Sequence, residues 1–239
     1  MRQAKLGPLD VRITGGTDRE GGGDGPLVVL LHGFGAPGTD LVPLWRAIDV
    51  PSEVRWAFPA APLSLGGMFP GMDSRAWWMI DVMALERAMA AGTHRDLSRD
   101  TPEGLPEARA QVIETLDALT EELSPSELVI GGFSQGAMLA LDVALHDDRA
   151  LAGLIHWSGT LLSEDVWKAR MPAREGLPVL QSHGQLDPLL PFDMAERLRD
   201  LMVEAGLEVD FVPFRGGHEI PGVVLEHLQL LLRRVFSLG

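Results

Sequence analysis

The chain of 239 residues contains no cysteine. That absence excludes disulfides, thiolate metal sites, a cysteine nucleophile and S-acyl anchoring, so covalent chemistry must use another nucleophile. Basic residues are also scarce: 20 Lys and Arg stand against 34 Asp and Glu, for a formal net charge of −14. Such a surface repels phosphate backbones and anionic headgroups, which argues against a nucleic-acid partner and otherwise serves solubility. No apolar run approaches the ~20 residues that span a bilayer, so integral membrane association is not expected. The segment Met1 to Pro8 lacks the apolar stretch and small-residue cleavage site of a secretory signal, and the expected location is cytoplasmic.

What is present reads as a folded globular chain. Apolar residues make up 46% and charged residues 23%, which argues against disorder, and the length fits one domain spanning 1–239. Short apolar runs alternate with amphipathic stretches, the pattern of an α/β fold whose mostly parallel sheet carries helices on both faces. Strands are expected at Leu27–Leu31, Glu53–Phe58, Leu128–Gly131, Leu151–Trp157, Pro178–Ser182 and Glu208–Phe214, with Leu9–Thr14 as an antiparallel edge strand. Gly21 to Gly25 reads as a flexible hairpin turn, without the spacing of a phosphate loop. Val112, Leu116, Leu119 and Leu123 recur at helical spacing before Ser124-Pro125. Ile220, Val224, Leu228, Leu231 and Val235 form a second stripe near the C-terminus. The least regular stretch, 63–109, is a candidate lid or acyl-groove segment.

The chemistry is concentrated at strand ends. Gly132-Phe133-Ser134-Gln135-Gly136 follows Leu128-Val129-Ile130 and precedes Ala137-Met138-Leu139, where a strand would turn sharply into a helix and expose the Ser134 hydroxyl. A serine hydroxyl needs an adjacent base, and the base needs an orienting carboxylate. Asp187 follows the run ending at Ser182, and His218 follows the run ending at Phe214. Taken singly, Asp187 also reads as a turn residue before Pro188 and His218 as a polar helix-entry residue. Together with Ser134 they give the nucleophile–acid–base order of α/β-hydrolases. An oxyanion hole would draw on the backbone N–H of Gln135 and on the loop His32-Gly33-Phe34-Gly35, where the donor is assigned to Phe34.

These residues resemble the acyl-protein thioesterase and carboxylesterase family of serine hydrolases, the phospholipase/carboxylesterase family. The likeness spans Leu27 to the C-terminus. It rests on His32-Gly33-Phe34-Gly35, Phe58-Pro59-Ala60-Ala61-Pro62, Gly67-Met68 with Arg75-Ala76-Trp77-Trp78, Gly131 to Ala137, His183 to Pro188, and Gly217-His218-Glu219. The resemblance implies an α/β-hydrolase fold without a large cap domain. It carries the nucleophile onto Ser134, the acid onto Asp187, the base onto His218 and the oxyanion donors onto Phe34 and Gln135. Two features depart from it: an extended Met83 to Arg109, and Ala36-Pro37 where eukaryotic members tend to carry an aspartate.

Met68, Phe69, Met72, Trp77, Trp78, Met79 and Met83 form an apolar, Met-rich stretch too irregular for a helix face. An ordinary core role competes with that of an acyl wall, for which Met68, Phe69, Trp77 and Trp78 are the candidate substrate-binding residues. His32 and His183 read as loop-ordering residues beside the site, and His227 as a satisfied core histidine. No histidine pairs at metal-ligand spacing, and no metal or other cofactor is expected. The expected function is a serine carboxylesterase working through an acyl-enzyme on a small-molecule or acyl ester or thioester. Acyl-protein thioesterase or lysophospholipase activity is the alternative within that chemistry, and a catalytically silent hydrolase-fold binding protein the alternative from another class. This reading is compatible with a homodimer.

Overall fold

A computed structural model describes residues 1–68, 71 and 73–237. The chain runs β1 (Arg2–Leu6), β2 (Leu9–Gly15), β3 (Leu27–Leu31), α1 (Leu44–Ala47), β4 (Arg55–Pro59), the two-residue β5 (Leu63–Ser64) and β6 (Arg75–Ala76), α2 (Val82–Ala90), α3 (Leu105–Leu123), β7 (Leu128–Phe133), α4 (Gln135–His146), β8 (Gly153–Trp157), α5 (Glu164–Arg170), β9 (Pro178–Gly184), α6 (Phe192–Glu204), β10 (Glu208–Phe214) and α7 (Gly222–Val235). Eight strands form one sheet in the order β1-β2-β4-β3-β7-β8-β9-β10, while β5 and β6 pair with each other. From β4 to β10 neighbouring strands are parallel, and β1 and β2 join antiparallel.

Continuous apolar runs become the central strands because both sheet faces are covered. All five residues of β3 are buried. Leu27, Val29, Leu31 and Ile130 face a core closed by α3 and α4, whereas Val28, Leu30, Val129 and Ile155 face one closed by α7. Helix α3 buries Leu105, Ala108, Val112, Leu116, Leu119 and Leu123, a stripe at steps of three and four. Helix α4 is buried from Gln135 to Leu145, since it packs on β7 and β8 with α3 outside it. Trp56, Trp77, Trp157 and Trp167 are fully buried, each a large apolar contribution of roughly 1.5–3 kcal/mol.

Two local expectations change. Leu9–Thr14 lies one strand in from the edge, because Arg2–Leu6 turns back on it through Gly7 and Pro8. The outermost strand alternates exposed and half-buried residues and carries Lys5 outward, a charge that suits a sheet edge. Gly21 to Gly25 is a clamped loop, not a flexible hairpin turn. The guanidinium of Arg55, a fully buried residue, donates to the carbonyls of Gly21 (3.4 Å), Gly23 (2.7 Å), Gly25 (3.1 Å through Nε) and Leu123 (2.7 Å). Strand β3 is where the sheet order reverses, with β4 on one side and β7 on the other. Ligands of open α/β sheets collect at the strand C-termini beside such a point, so the loops after β3 and β7 occupy the favoured position.

Candidate active site

The turn from β7 into α4 places Ser134 at φ 55°, ψ −118°, an unfavourable backbone for a side-chain-bearing residue and worth about 1–3 kcal/mol of strain. Its own N–H is held by the Trp157 carbonyl at 2.8 Å. The flanking glycines are required sterically: a Cβ on Gly132 would lie 2.4 Å from the Leu31 oxygen, and one on Gly136 would lie 2.0 Å from it. Strand β3 and the elbow are therefore in backbone contact. Gln135 is the first residue of α4, so its N–H has no intrahelical acceptor and sits at the positive end of the helix.

Asp187 and His218 converge from the loops after β9 and β10. Those loops are joined by Gln185 N–H to the Phe214 carbonyl (2.8 Å) and Leu186 N–H to the Gly216 carbonyl (2.9 Å). His218 Nδ1 donates to Asp187 Oδ2 at 2.6 Å, and its ring packs on Phe133 with centroids 4.8 Å apart. The other carboxylate oxygen accepts the N–H groups of Leu189 (2.8 Å) and Leu190 (3.1 Å). Burial would raise the Asp187 pKa, but the hydrogen bond and charge of His218, with the two backbone N–H groups, hold it below the ordinary carboxylate value. Two further imidazoles approach. His183 Nε2 donates to the Leu190 carbonyl at 3.1 Å and lies 3.4 Å from Asp187 Oδ2, and His94 Nε2 donates to the Asp187 carbonyl at 3.0 Å.

The loop after β3 faces Ser134 across a short gap, since a Cβ on Gly33 would lie 3.4 Å from the Ser134 Cβ. His32 orders this loop by donating from Nδ1 to the Gly33 carbonyl (2.8 Å) and accepting the Ala61 N–H at Nε2 (3.0 Å). Burial keeps its pKa low, so it stays the neutral ring these bonds require. Gly35 and Ala36 pair with Arg75 through bonds of 2.8 and 3.0 Å, which ties the loop to the segment leading to Trp78.

Ser134, His218, Gln135 and Phe34 all line one cavity of about 340 Å³. Its inner wall is apolar, drawn from Trp78, Phe133, Met138, Leu162, Leu189 and Leu190, and its outer wall includes Leu85, Leu97 and Pro102. Exposed Asp81, Arg95, Asp100 and Glu103 stand at the outer side. The excursion between β6 and α3 thus roofs the site. It is tied down by His94 on Asp187, by Ser163 N–H to the Asp100 carbonyl (3.1 Å) and by Glu164 N–H to the Ser98 carbonyl (2.7 Å).

Of the four residues assigned to substrate binding, Trp78 lines this cavity. Trp77 does not: it is buried behind the wall, its indole N–H donating to the His32 carbonyl at 2.9 Å and its ring centroid 5.4 Å from that of His32. Met68 also does not, because it closes a turn through its N–H on the Leu65 carbonyl (2.8 Å) and is 45% exposed. Phe69 and Met72 lie outside the described residues. The wall residues that sequence reasoning missed come from distant segments, although Met138, one helical turn after Ser134, was open to helical spacing. His227 is not a core residue: it is half-exposed and pairs with Asp210 at 2.6 Å. Burial pushes the His156 pKa down to about 3, with the charge of His183 adding to the shift.

Comparison with known proteins points the same way as this geometry. A family profile described as phospholipase/carboxylesterase matches residues 20–235. Acyl-protein thioesterase 1 of Neurospora crassa is 30% identical over 200 residues, covering 80% of this chain and 79% of the relative. A probable carboxylesterase of Oryza sativa subsp. japonica is 29% identical over 199 residues, covering 81% and 71%. The crystal structure of esterase PE8 superposes with a TM-score of 0.76 at 28% identity, covering 97% of this chain and all of that one. The fold is that of the α/β-hydrolases.

Proposed function

Because the chain belongs to the phospholipase/carboxylesterase family and is an ester hydrolase, we propose that Ser134, Asp187 and His218 form the triad through which it cleaves carboxylic esters. The observation that carries this reading is the 2.6 Å bond from His218 Nδ1 to a buried Asp187, with His218 and the strained Ser134 facing the same cavity. A proton fixed on Nδ1 leaves Nε2 as the basic nitrogen. Ser134 Oγ attacks the ester carbonyl while Nε2 takes its proton, and the backbone N–H groups of Phe34 and Gln135 donate to the developing oxyanion. Each such donor is typically worth about 10²–10³ in rate. The tetrahedral intermediate collapses by breaking the bond to the alcohol, which leaves with the proton from Nε2. Water then repeats the sequence on the acyl-enzyme and releases the acid.

The apolar wall beyond Ser134 supports an acyl chain as the group held there, with the leaving group toward the charged outer side. The same site would accept a thioester, and the similarity to acyl-protein thioesterases favours that as the second reading. We read the whole of 1–239 as one catalytic unit in which part of 63–109 covers the cavity. A fluorophosphonate probe is expected to label the wild-type chain and not Ser134→Ala. Equal labelling of the two would reject Ser134 as the nucleophile, and the substrate order follows from rates on short esters, long esters and acyl thioesters.

A further inference from the structure

The segment after β6 passes the elbow without a strand or helix to satisfy its backbone. The Gln135 side chain supplies what is missing. Its Oε1 accepts the Trp77 N–H at 2.9 Å and its Nε2 donates to the Trp78 carbonyl at 2.8 Å, all four groups being buried. A primary amide bonded to the N–H of one residue and the carbonyl of the next clamps the bend at Trp77-Trp78 from one side. The pairing crosses 57 and 58 positions of sequence and fixes the amide plane of Gln135 through both its oxygen and its nitrogen. Trp78 is pressed from its other side by Gly104, where a Cβ would lie 3.1 Å from the Trp78 Cβ. Its ring forms part of the apolar wall beside Ser134.

We propose that the Gln135 side chain is a positioning residue for acyl selectivity. It holds Trp78 at the distance that an acyl chain needs, while the backbone N–H of the same residue serves the reacting oxygen. This rests on the function proposed above, because it assigns the wall to the acyl group. One residue then sets both where the carbonyl oxygen sits and where the chain beyond it runs. A released Trp78 would affect a long acyl group, which reaches the wall, more than acetate, which does not. The Gln135 N–H survives any side-chain change, so the two roles are separable.

The test compares p-nitrophenyl acetate and octanoate on Gln135→Met, Trp78→Ala and the double variant. Gln135→Met is expected to lower the octanoate-to-acetate ratio of kcat/KM roughly tenfold, the scale of one lost contact in an apolar pocket, mainly through KM for octanoate. Trp78→Ala should lower the same ratio, and adding Gln135→Met to it should lower it no further. An equal loss on both esters, an unchanged ratio in Trp78→Ala, or independent losses in the double variant would each overturn the proposal. A wild-type chain inert toward every ester would be a failure of the proposed function, visible before any variant is made. Hydrogen exchange at residues 76–79 then decides the clamp: faster exchange of the Trp77 amide in Gln135→Met supports it, and undiminished protection overturns it.

Discussion

Replacing Arg55 by methionine is expected to destabilise the protein without touching catalysis. The guanidinium is the donor for four backbone carbonyls, two of its bonds being 2.7 Å long. Burial lowers its pKa, but a guanidinium stays charged throughout. Methionine keeps the apolar length and deletes every donor. The bonds to Gly21 and Leu123 are buried, so those carbonyls lose their partner without water at hand, at about 1–3 kcal/mol each, while Gly23 and Gly25 are partly wet and cost less. Relief from burying a cation offsets part of this, leaving a net loss of about 2–4 kcal/mol. For a chain of this length that corresponds to a fall in Tm of roughly 5–15 °C. Urea melts and thermal scans by circular dichroism measure it. Arg55 opens β4 at the end of the sheet away from the site, so kcat/KM on a short ester should be unchanged at 25 °C. A variant that melts with the wild type would show that the loop 16–26 is not held by Arg55, and a variant that melts early but is also inactive would refute the separation of the clamp from the site.

Acid should unfold the protein through its buried imidazoles. His32, His156 and His183 have pKa values lowered by burial, to about 3 for His156, so the folded state leaves them neutral. The unfolded chain binds those protons below pH ~6.5, and stability therefore falls as the pH drops, with a limiting slope of about 1.4 kcal/mol per unit from His156 and further contributions in the same direction from His32 and His183. Urea melts at pH 7, 6 and 5 should show this slope, His156→Leu should reduce it by about one proton, and a flat stability over that range would contradict it. Asp187→Asn is expected to lower kcat about 10⁴-fold while leaving ester KM similar, because it deprives His218 of the carboxylate that fixes its tautomer. Steady-state kinetics on one ester checks this, and a loss below tenfold would remove Asp187 from the mechanism.

The legibility of this chain follows from how local each signal is. Leu27–Leu31 was placed to the residue because a buried strand needs an apolar run bounded by turn residues, and Glu208–Phe214, an edge strand, because its apolar residues alternate with polar ones between Gly206 and Gly216. Ser134, Asp187 and His218 were legible because each stands directly after such a run, and the sheet brings strand ends together. Arg2–Leu6 was missed since an edge strand covers little apolar surface. The Arg55 clamp escaped because a lone cation in an apolar run does not reveal which carbonyls it will meet. The wall was only partly read, since Leu85, Leu97, Leu162 and Leu190 are separated along the chain and only tertiary packing makes them neighbours. His227 was assigned inward from helical phase alone, and half a turn of error moves a residue from core to solvent.

The fastenings of the roof have a consequence for how substrate range can change. His94 reaches a main-chain carbonyl, and Asp100 and Ser98 offer theirs to main-chain N–H groups of Ser163 and Glu164. On the receiving loops the Ser163 side chain joins them, donating to the Asp100 carbonyl at 3.3 Å and sharing a 2.7 Å hydrogen bond with the Thr101 hydroxyl. Another segment of similar span that presents one donor, two carbonyls and a hydroxyl for Ser163 is therefore expected to seat in place of residues 82–104 while Ser134, Asp187 and His218 keep their supports. On the acyl reading proposed above, a change of acyl preference would then come from replacing this segment, with the residues beneath it unedited.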